Sequence, residues 1–456
     1  MSRSPPMKYQ TLCIRSLLLT AVLNQSCDSS SSSSSNPPAG APTTATTPTS
    51  GSNATGTSPT ATTGEGAEGT TPVVPPATTP YVIPGNSFQL IAGLKNNRTD
   101  FIKDLGAGVS TKIASFEGAT TDLTAAANAY CASYSPESLS ILKDKFKTAM
   151  LDWQQLELYQ MGPMTEKNSS LKTKIYNWPT VPYLCKIDEE SMYAREDGDA
   201  YALPTDNNKI GLQALEYLIF EGTLETGCPN GATKTSWQAL SKQEKLEARC
   251  AYMKPVAREL GVNAATLKTA WGTTADNYLS RKVGNAEAEQ SAMQEMFNNI
   301  LYIDIEMKNK KIGIPAGQDI KGCPKSPAPC VDKQELRYSR LSREALSENV
   351  KVLADIIFGF GEPRRGGLSA IIRQESAPAS AEKSEKNVSD LLTLVDTEQS
   401  NFDDLLAKKN EDCEATQASW ICQVQTSIKT VVADFKAEYA SVLKVQVPVE
   451  KQGDND

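Results

Sequence analysis

The sequence predicts an all-α fold of two helical-bundle halves behind a disordered N-terminal tether. From about Ser87 onward, apolar residues recur at three- and four-residue steps, the spacing of one helix face. Alternating apolar–polar runs, the mark of half-buried strands, are scarce and short. Asp28 to Pro80 is almost entirely Ser, Thr, Pro, Gly and Ala, with nearly no large apolar residue to offset chain entropy by burial.

The elements follow in order. Basic residues Arg3, Lys8 and Arg15 precede the apolar run "SLLLTAVL", Ser16 to Leu23, which is too short to cross a bilayer as a helix, since that takes about 20 residues. It suits the apolar core of a secretory signal. "LNQSC" then ends at Cys27, where a small residue before a cysteine looks like a lipoprotein processing site, although Asn24 stands where such sites carry an aliphatic residue. Residues 1–27 are therefore assigned to a signal with lipidation at Cys27, and residues 28–80 to a flexible tether.

The folded part divides into a first half, 87–312, and a second, 330–445, around "GIPAGQDIKGCPKSPAP"; residues 446–456 read as a disordered tail. Ser135 and Pro136 open a helix that carries Leu139, Leu142, Phe146, Met150, Trp153 and Leu156 on one stripe and stops at Gly162-Pro163. "SKQE" is a capping box at Ser241 and Glu244, opening a helix that Pro255 should kink and Gly261 should end. "SREALSENVKVLADIIFGFG", "SDLLTLVDTEQSNFDDLLAKKN" and "TSIKTVVADFKAEYASVLKV" give three more helices. Lys174–Thr205 and Gly361–Ser380 read as ordered irregular excursions.

Composition narrows the chemistry. The 46 basic against 54 acidic residues give a formal charge of −8 with no basic patch, so nucleic acid is not an expected partner. No later apolar run approaches the ~20 residues of a spanning helix, so the expected membrane contact is the lipid anchor. The chain contains 10 cysteines and no histidine. Without histidine there is no HExxH metalloprotease, no Ser-His-Asp or Cys-His hydrolase and no CxxCH haem attachment. A metal would need oxygen ligands, which favours a hard cation such as iron or calcium.

Setting aside Cys13 and Cys27 leaves eight cysteines, which in an exported chain read as disulfides. Sequence alone allows about a hundred pairings. Cys323–Cys330 and Cys413–Cys422 are the local staples, and Cys228–Cys250 and Cys131–Cys185 follow by elimination.

The most informative stretch is "GLQALEYLIF", Gly211 to Phe220. On a helical wheel Leu212, Leu215 and Ile219 share one face, and Gln213, Glu216, Tyr217 and Phe220 share another. So little of this surface suits water that both faces should meet protein. A buried Glu216 must then find donors, a cation or a proton. It either joins a structural network with Gln213 and neighbours such as Tyr217, or stands beside a cleft as a site residue.

This segment resembles the Gly-x-His-x-x-Glu signature of the imelysin family, peptidase family M75, through Gly211, Glu216, Tyr217, Leu218 and Phe220. "AMLDWQQLELYQMGP" resembles the family helix that ends at Gly-Pro, carried by Ala149, Trp153, Glu157, Gly162 and Pro163. "IYNWPTVPYLCKID" resembles its Trp-Pro segment, carried by Trp178, Pro179 and Asp188. The resemblance implies an exported protein of two helical bundles with the motif face in a cleft between them. The family is associated with metallopeptidase activity or with periplasmic and outer-membrane proteins of iron uptake.

The family's His is Gln213 here, which is neither a good transition-metal ligand nor a general base. The expected site therefore comprises Gly211, Gln213, Glu216 and Glu157, with Trp153, Trp178, Tyr217 and Asp188 as cleft residues. Glu157, Glu216 and Asp188 are the oxygen set for a hard cation. The expected role is ligand or partner binding in the cleft without peptidase activity, with iron-acquisition or cell-surface partners. An M75-type metallopeptidase using Glu216 and Glu157, and a tethered surface interaction protein, are the alternatives.

Overall fold

A computed structural model describes residues 97–319, 321–360, 366–375, 377–409, 413 and 416–452. The signal segment, Cys27 and the tether lie outside the described residues.

Among the described residues there is no sheet, only an isolated antiparallel bridge between Gly272 and Asn277. The helices are α1 (Arg98–Ser133), α2 (Pro136–Gln154), α3 (Glu166–Ile175), α4 (Leu184–Asp197), α5 (Gly211–Phe220), α6 (Ala232–Ala239), α7 (Lys242–Trp271) and α8 (Ala286–Ile300). A π-helix, Ile303–Gly313, comes next. Then follow α9 (Ser342–Phe358), α10 (Leu368–Gln374), α11 (Pro378–Thr397), α12 (Phe402–Lys408), α13 (Trp420–Asp434), α14 (Ala440–Leu443) and α15 (Val449–Gln452). None is long and apolar enough to cross a membrane.

All described residues fall within one compact unit. Inside it, α1, α2, α4, α5 and α7 pack on one another, and α9, α10, α11, α13 and the π-helix form a second packed set. The two sets meet where α9 lies against α2 and the turn after α2. Leu142, Phe146, Met150, Trp153 and Leu156 are fully buried, so the stripe read from the sequence for α2 does face the core, as do Phe101, Phe116 and Trp271.

Local signals set several helix starts. Ser135 accepts from the Ser138 amide with Pro136 in the first turn, and Ser241 and Glu244 form the reciprocal capping box. Gly359, at φ 97°, ends α9.

Other boundaries differ from expectation. Helix α2 ends at Gln154, and Glu157 sits on a 3₁₀ turn, Glu157–Tyr159, instead of on the helix. Helix α7 runs through Pro255 and past Gly261 to Trp271. Burial of Ala264, Leu267 and Trp271 outweighs the ~1 kcal/mol that a mid-helix glycine costs. The Lys174–Thr205 stretch contains α4, whose short buried stripe of Ile187, Ser191 and Ala194 is hidden among acidic residues. The Gly361–Ser380 stretch contains α10. The stretch from Ser389 is two helices, broken before Asn401, which caps α12. The final helix is interrupted by a π segment, Phe435–Tyr439.

The expected tail is also partly pinned. Gln294 donates to the Gln446 carbonyl and accepts from its amide, at 2.8 and 2.7 Å, and Lys451 Nζ donates to Leu301 O at 2.8 Å.

Four disulfides are present among the described residues. Cys323–Cys330 and Cys413–Cys422 match expectation. The other two do not: Cys131 pairs with Cys250, and Cys185 with Cys228. Packing of α1 on α7 brings Cys131 within 5.5 Å of Cys250, Cα to Cα, while α4 starts beside the loop after α5. Replacing both Cys131 and Cys250 by Ser should lower the unfolding free energy by about 4–5 kcal/mol, against about 2–3 kcal/mol for Cys413 and Cys422, because the closed loops span 119 and 9 residues. Denaturant unfolding of the two double variants measures this, and equal losses would contradict it.

Candidate functional site

Helix α5 begins under close constraint. Gly211 has φ +74°, and a Cβ there would lie 2.5 Å from Ile175 O and 2.7 Å from Lys174 O. Only glycine allows the start of α5 to seat on the end of α3. Gln213 and Glu216 are then carried into the interior, 6% and 4% exposed.

Each has protein partners. Gln213 Nε2 donates to Thr180 O at 2.9 Å, fixing the Trp178-Pro179-Thr180 segment, whose Trp178–Pro179 bond is cis. Glu216 Oε1 accepts from the Tyr338 amide at 3.1 Å, the Ser339 amide at 2.9 Å and the Ser339 hydroxyl at 2.7 Å. Burial pushes the Glu216 carboxyl up to about 7; its bonds from Ser339 and Tyr338 pull the other way, and nearby Glu335 adds to the rise.

Tyr217 and Asp188 belong to a separate clip. The Tyr217 hydroxyl donates to Asp188 Oδ2 at 2.9 Å, and the Gly227 amide donates to the same oxygen at 2.7 Å. The Arg249 guanidinium lies over the Tyr217 ring, 5.2 Å from its centroid, and pairs with Glu221 Oε2 at 2.9 Å. Together they fold the Glu221–Cys228 loop onto α4 and α7. Burial raises the Asp188 carboxyl despite its bonds.

Glu157 marks a third location, which the sequence reading did not foresee as a cluster. Lys311, from the π-helix, places its ammonium 2.8 Å from Glu157 Oε2, 3.0 Å from Glu335 Oε2, 2.7 Å from Gln154 Oε1 and 2.8 Å from Asn349 Oδ1. The Tyr302 hydroxyl donates to Glu157, and the Tyr176 hydroxyl donates to Glu335 Oε1 at 2.8 Å. The rings of Trp178 and Tyr302 lie 5.3 and 5.5 Å from the ammonium. The paired carboxylates raise the Lys311 ammonium above the usual lysine range despite burial, so it stays charged. Burial raises Glu335, and Lys311 opposes that rise.

The expected oxygen set therefore does not assemble. Glu157 meets Lys311, Glu216 meets the Tyr338–Ser339 backbone, and Asp188 meets Tyr217 and Gly227. Among the described residues, no three His, Cys, Asp or Glu side chains are grouped to hold a metal ion. These donors do not fit the metal that the family resemblance implies. Trp153 is fully buried between Phe116 and Tyr176, with centroids at 5.3 and 6.5 Å, and so packs as a core ring. The i, i+3 pair Gln154 and Glu157 beside Trp153 was the one sequence signal of the cluster. Nothing in "EMKNKKIGIP" singles out Lys311 from its neighbours.

The family model of imelysin, peptidase M75, matches residues 112–430. The chain belongs to the imelysin family. Among solved structures, an imelysin-like protein from Psychrobacter arcticum 273-4 aligns at TM-score 0.55 and 14% identity, covering 78% of this chain and 100% of that one. An iron-regulated protein A precursor from Parabacteroides distasonis ATCC 8503 aligns at TM-score 0.56 and 16% identity, covering 78% and 97%. At these identities the likeness establishes an imelysin-like fold. No curated protein matches the chain.

Lys311→Met should destabilise the protein by about 3–5 kcal/mol, because two carboxylates lose their buried counter-charge. Adding Glu157→Gln and Glu335→Gln to that variant should recover most of the loss. Urea unfolding of the single and triple variants measures both steps, and a triple variant no more stable than the single would contradict the charge argument.

Proposed function

We propose that this imelysin-family chain is an exported lipoprotein, anchored through Cys27, that binds a ligand or partner at the α5 face between its two helical sets and works without hydrolysing peptides. One observation carries this reading. The position of the family's histidine is Gln213, and its amide is committed to Thr180 O, while the carboxylate of Glu157 is neutralised by Lys311. A metallopeptidase needs a metal and an activated water beside a general base, and the residues at this position supply none of the nitrogen donors. The disulfides suit an oxidising compartment outside the cytosol. The link to iron rests on the similar fold of the iron-regulated protein A precursor and is part of the proposal.

The purified chain, supplied in turn with zinc, iron(II) and calcium, should cleave no peptide in a mixed-sequence library and should retain no stoichiometric metal after gel filtration. Cells lacking the chain should grow more slowly under iron limitation, and growth should return with the parent or with Glu157→Gln. Metal-dependent cleavage that Glu216→Gln abolishes would overturn the non-catalytic reading. Growth indifferent to iron supply would overturn the iron link.

A further inference from the structure

Between the π-helix and α9, three exposed cations converge on one acidic residue. Lys325 and Lys333 each hold an ammonium 3.9 Å from the Asp332 carboxylate, one at either oxygen. Arg337 Nη1 stands 3.5 Å from the Asp332 carbonyl, and its guanidinium stacks on the Tyr338 ring, 4.5 Å from the centroid. The bonds of Arg337 go to that carbonyl and to the Tyr338 hydroxyl, neither of them an anion. The side chains of Lys325 and Asp332 are 69% and 50% exposed, so these pairs are loose and solvated. The neighbouring carboxylates are engaged elsewhere: Glu335 turns inward to Lys311, and Asp403 is shared by Gln334 and Arg340. A chain of formal charge −8 thus carries a local surplus of positive charge here.

The scaffold fixes that surplus in place. The Cys323–Cys330 disulfide closes the loop that carries Lys325. Ser326 Oγ donates to Gly317 O at 2.8 Å, and the Cys330 amide donates to Pro315 O at 2.8 Å. Pro324, Pro327 and Ala328 are exposed on this loop, and Val331, beside Asp332, is 42% exposed. Apolar side chains therefore stand out among the cations.

We propose that the face formed by Pro324–Arg337 docks on an anionic lipid surface, with Lys325, Lys333 and Arg337 among the headgroup phosphates and Val331 entering the interface. Two arguments favour lipid over an acidic protein. Exposed apolar groups ringed by Lys and Arg suit the boundary between headgroups and acyl chains. The second argument rests on the lipoprotein reading. Residues 28–96 separate Cys27 from the described body. A Ser/Gly-rich coil of about 70 residues spans about 45 Å. An anchored body then meets its own bilayer at an effective concentration on the order of a millimolar, where a weak patch is enough.

Vesicle co-sedimentation tests this with the chain from Asp28 onward, which keeps the whole compact unit and carries no acyl group. The chain should bind vesicles of phosphatidylcholine mixed with phosphatidylglycerol and should ignore phosphatidylcholine alone. Raising salt from about 0.1 M to about 1 M shortens the screening length from about 10 Å to about 3 Å and should release it. A basic side chain at an anionic surface strengthens binding about fivefold, so Lys325→Gln, Lys333→Gln and Arg337→Gln together should weaken it on the order of a hundredfold. Val331→Ser alone should weaken it severalfold. A control with Lys103→Gln, Lys242→Gln and Lys254→Gln, exposed lysines of α1 and α7, changes net charge equally and should bind as the parent does. Failure of the parent to prefer the anionic vesicles would overturn the proposal, as would an equal loss in the control. Release from the vesicles by soluble polyglutamate, at a carboxylate concentration no higher than that of the anionic lipid, would overturn it in favour of an acidic protein. If the triple variant does not fold, the parent's lipid preference and Val331→Ser decide. Acyl labelling at Cys27 in cells is read separately, and its absence would overturn the anchor while leaving the vesicle result to judge the patch.

Discussion

The contact on which the rest of this structure depends is the Lys311 ammonium among four oxygens, drawn from the end of α2, the turn after it, the Gln334–Ser342 segment and α9. Those oxygens come from both helical sets, so one buried charge ties the sets together. Removing a cation from such a place is costly because each carboxylate was desolvated on the assumption that its partner would be there. The neighbouring polar groups are arranged to serve the same balance: two tyrosine hydroxyls donate to the carboxylates, and Asn349 Nδ2 donates to Gln154 O at 2.7 Å while its oxygen faces the lysine.

The π-helix makes this geometry available. Along Ile303–Gly313 the backbone carries Lys311 into the cluster and, a few residues earlier, Asp304 into a second buried pair of contacts, with Lys308 at 2.9 Å and Lys436 at 2.6 Å. Extended π segments are rare and tend to mark places where a regular helix would misplace a side chain. Here the stretch joins the two helical sets, and its N-terminal end is held by Lys451 on the carbonyl of Leu301.

How much of this could be read from the chain differs by level. Helices with strong stripes and caps, such as α2, α7 and α9, were legible, because burial pattern and capping are local. Their ends were less so: Gly261 does not stop α7, since tertiary packing of Leu267 and Trp271 overrides a local preference. Disulfide pairing depends on which helices lie side by side, and the elimination argument could not supply that for Cys131 and Cys250. At the site, Gln213 and Glu216 were correctly read as buried in a helix with two protein-facing sides. Their partners were not readable. Thr180 lies in a loop, Tyr338 and Ser339 lie more than a hundred residues away, and Lys311 is one lysine in a lysine-rich run.

The tethered ammonium has a further consequence. An ion drawn from solution occupies its site according to its concentration, and a chelator or a competitor can take it away. A lysine side chain is supplied at a fixed, very high local concentration by the chain itself. A fold whose central charge is covalently attached keeps that charge through any swing in the metal content of its surroundings.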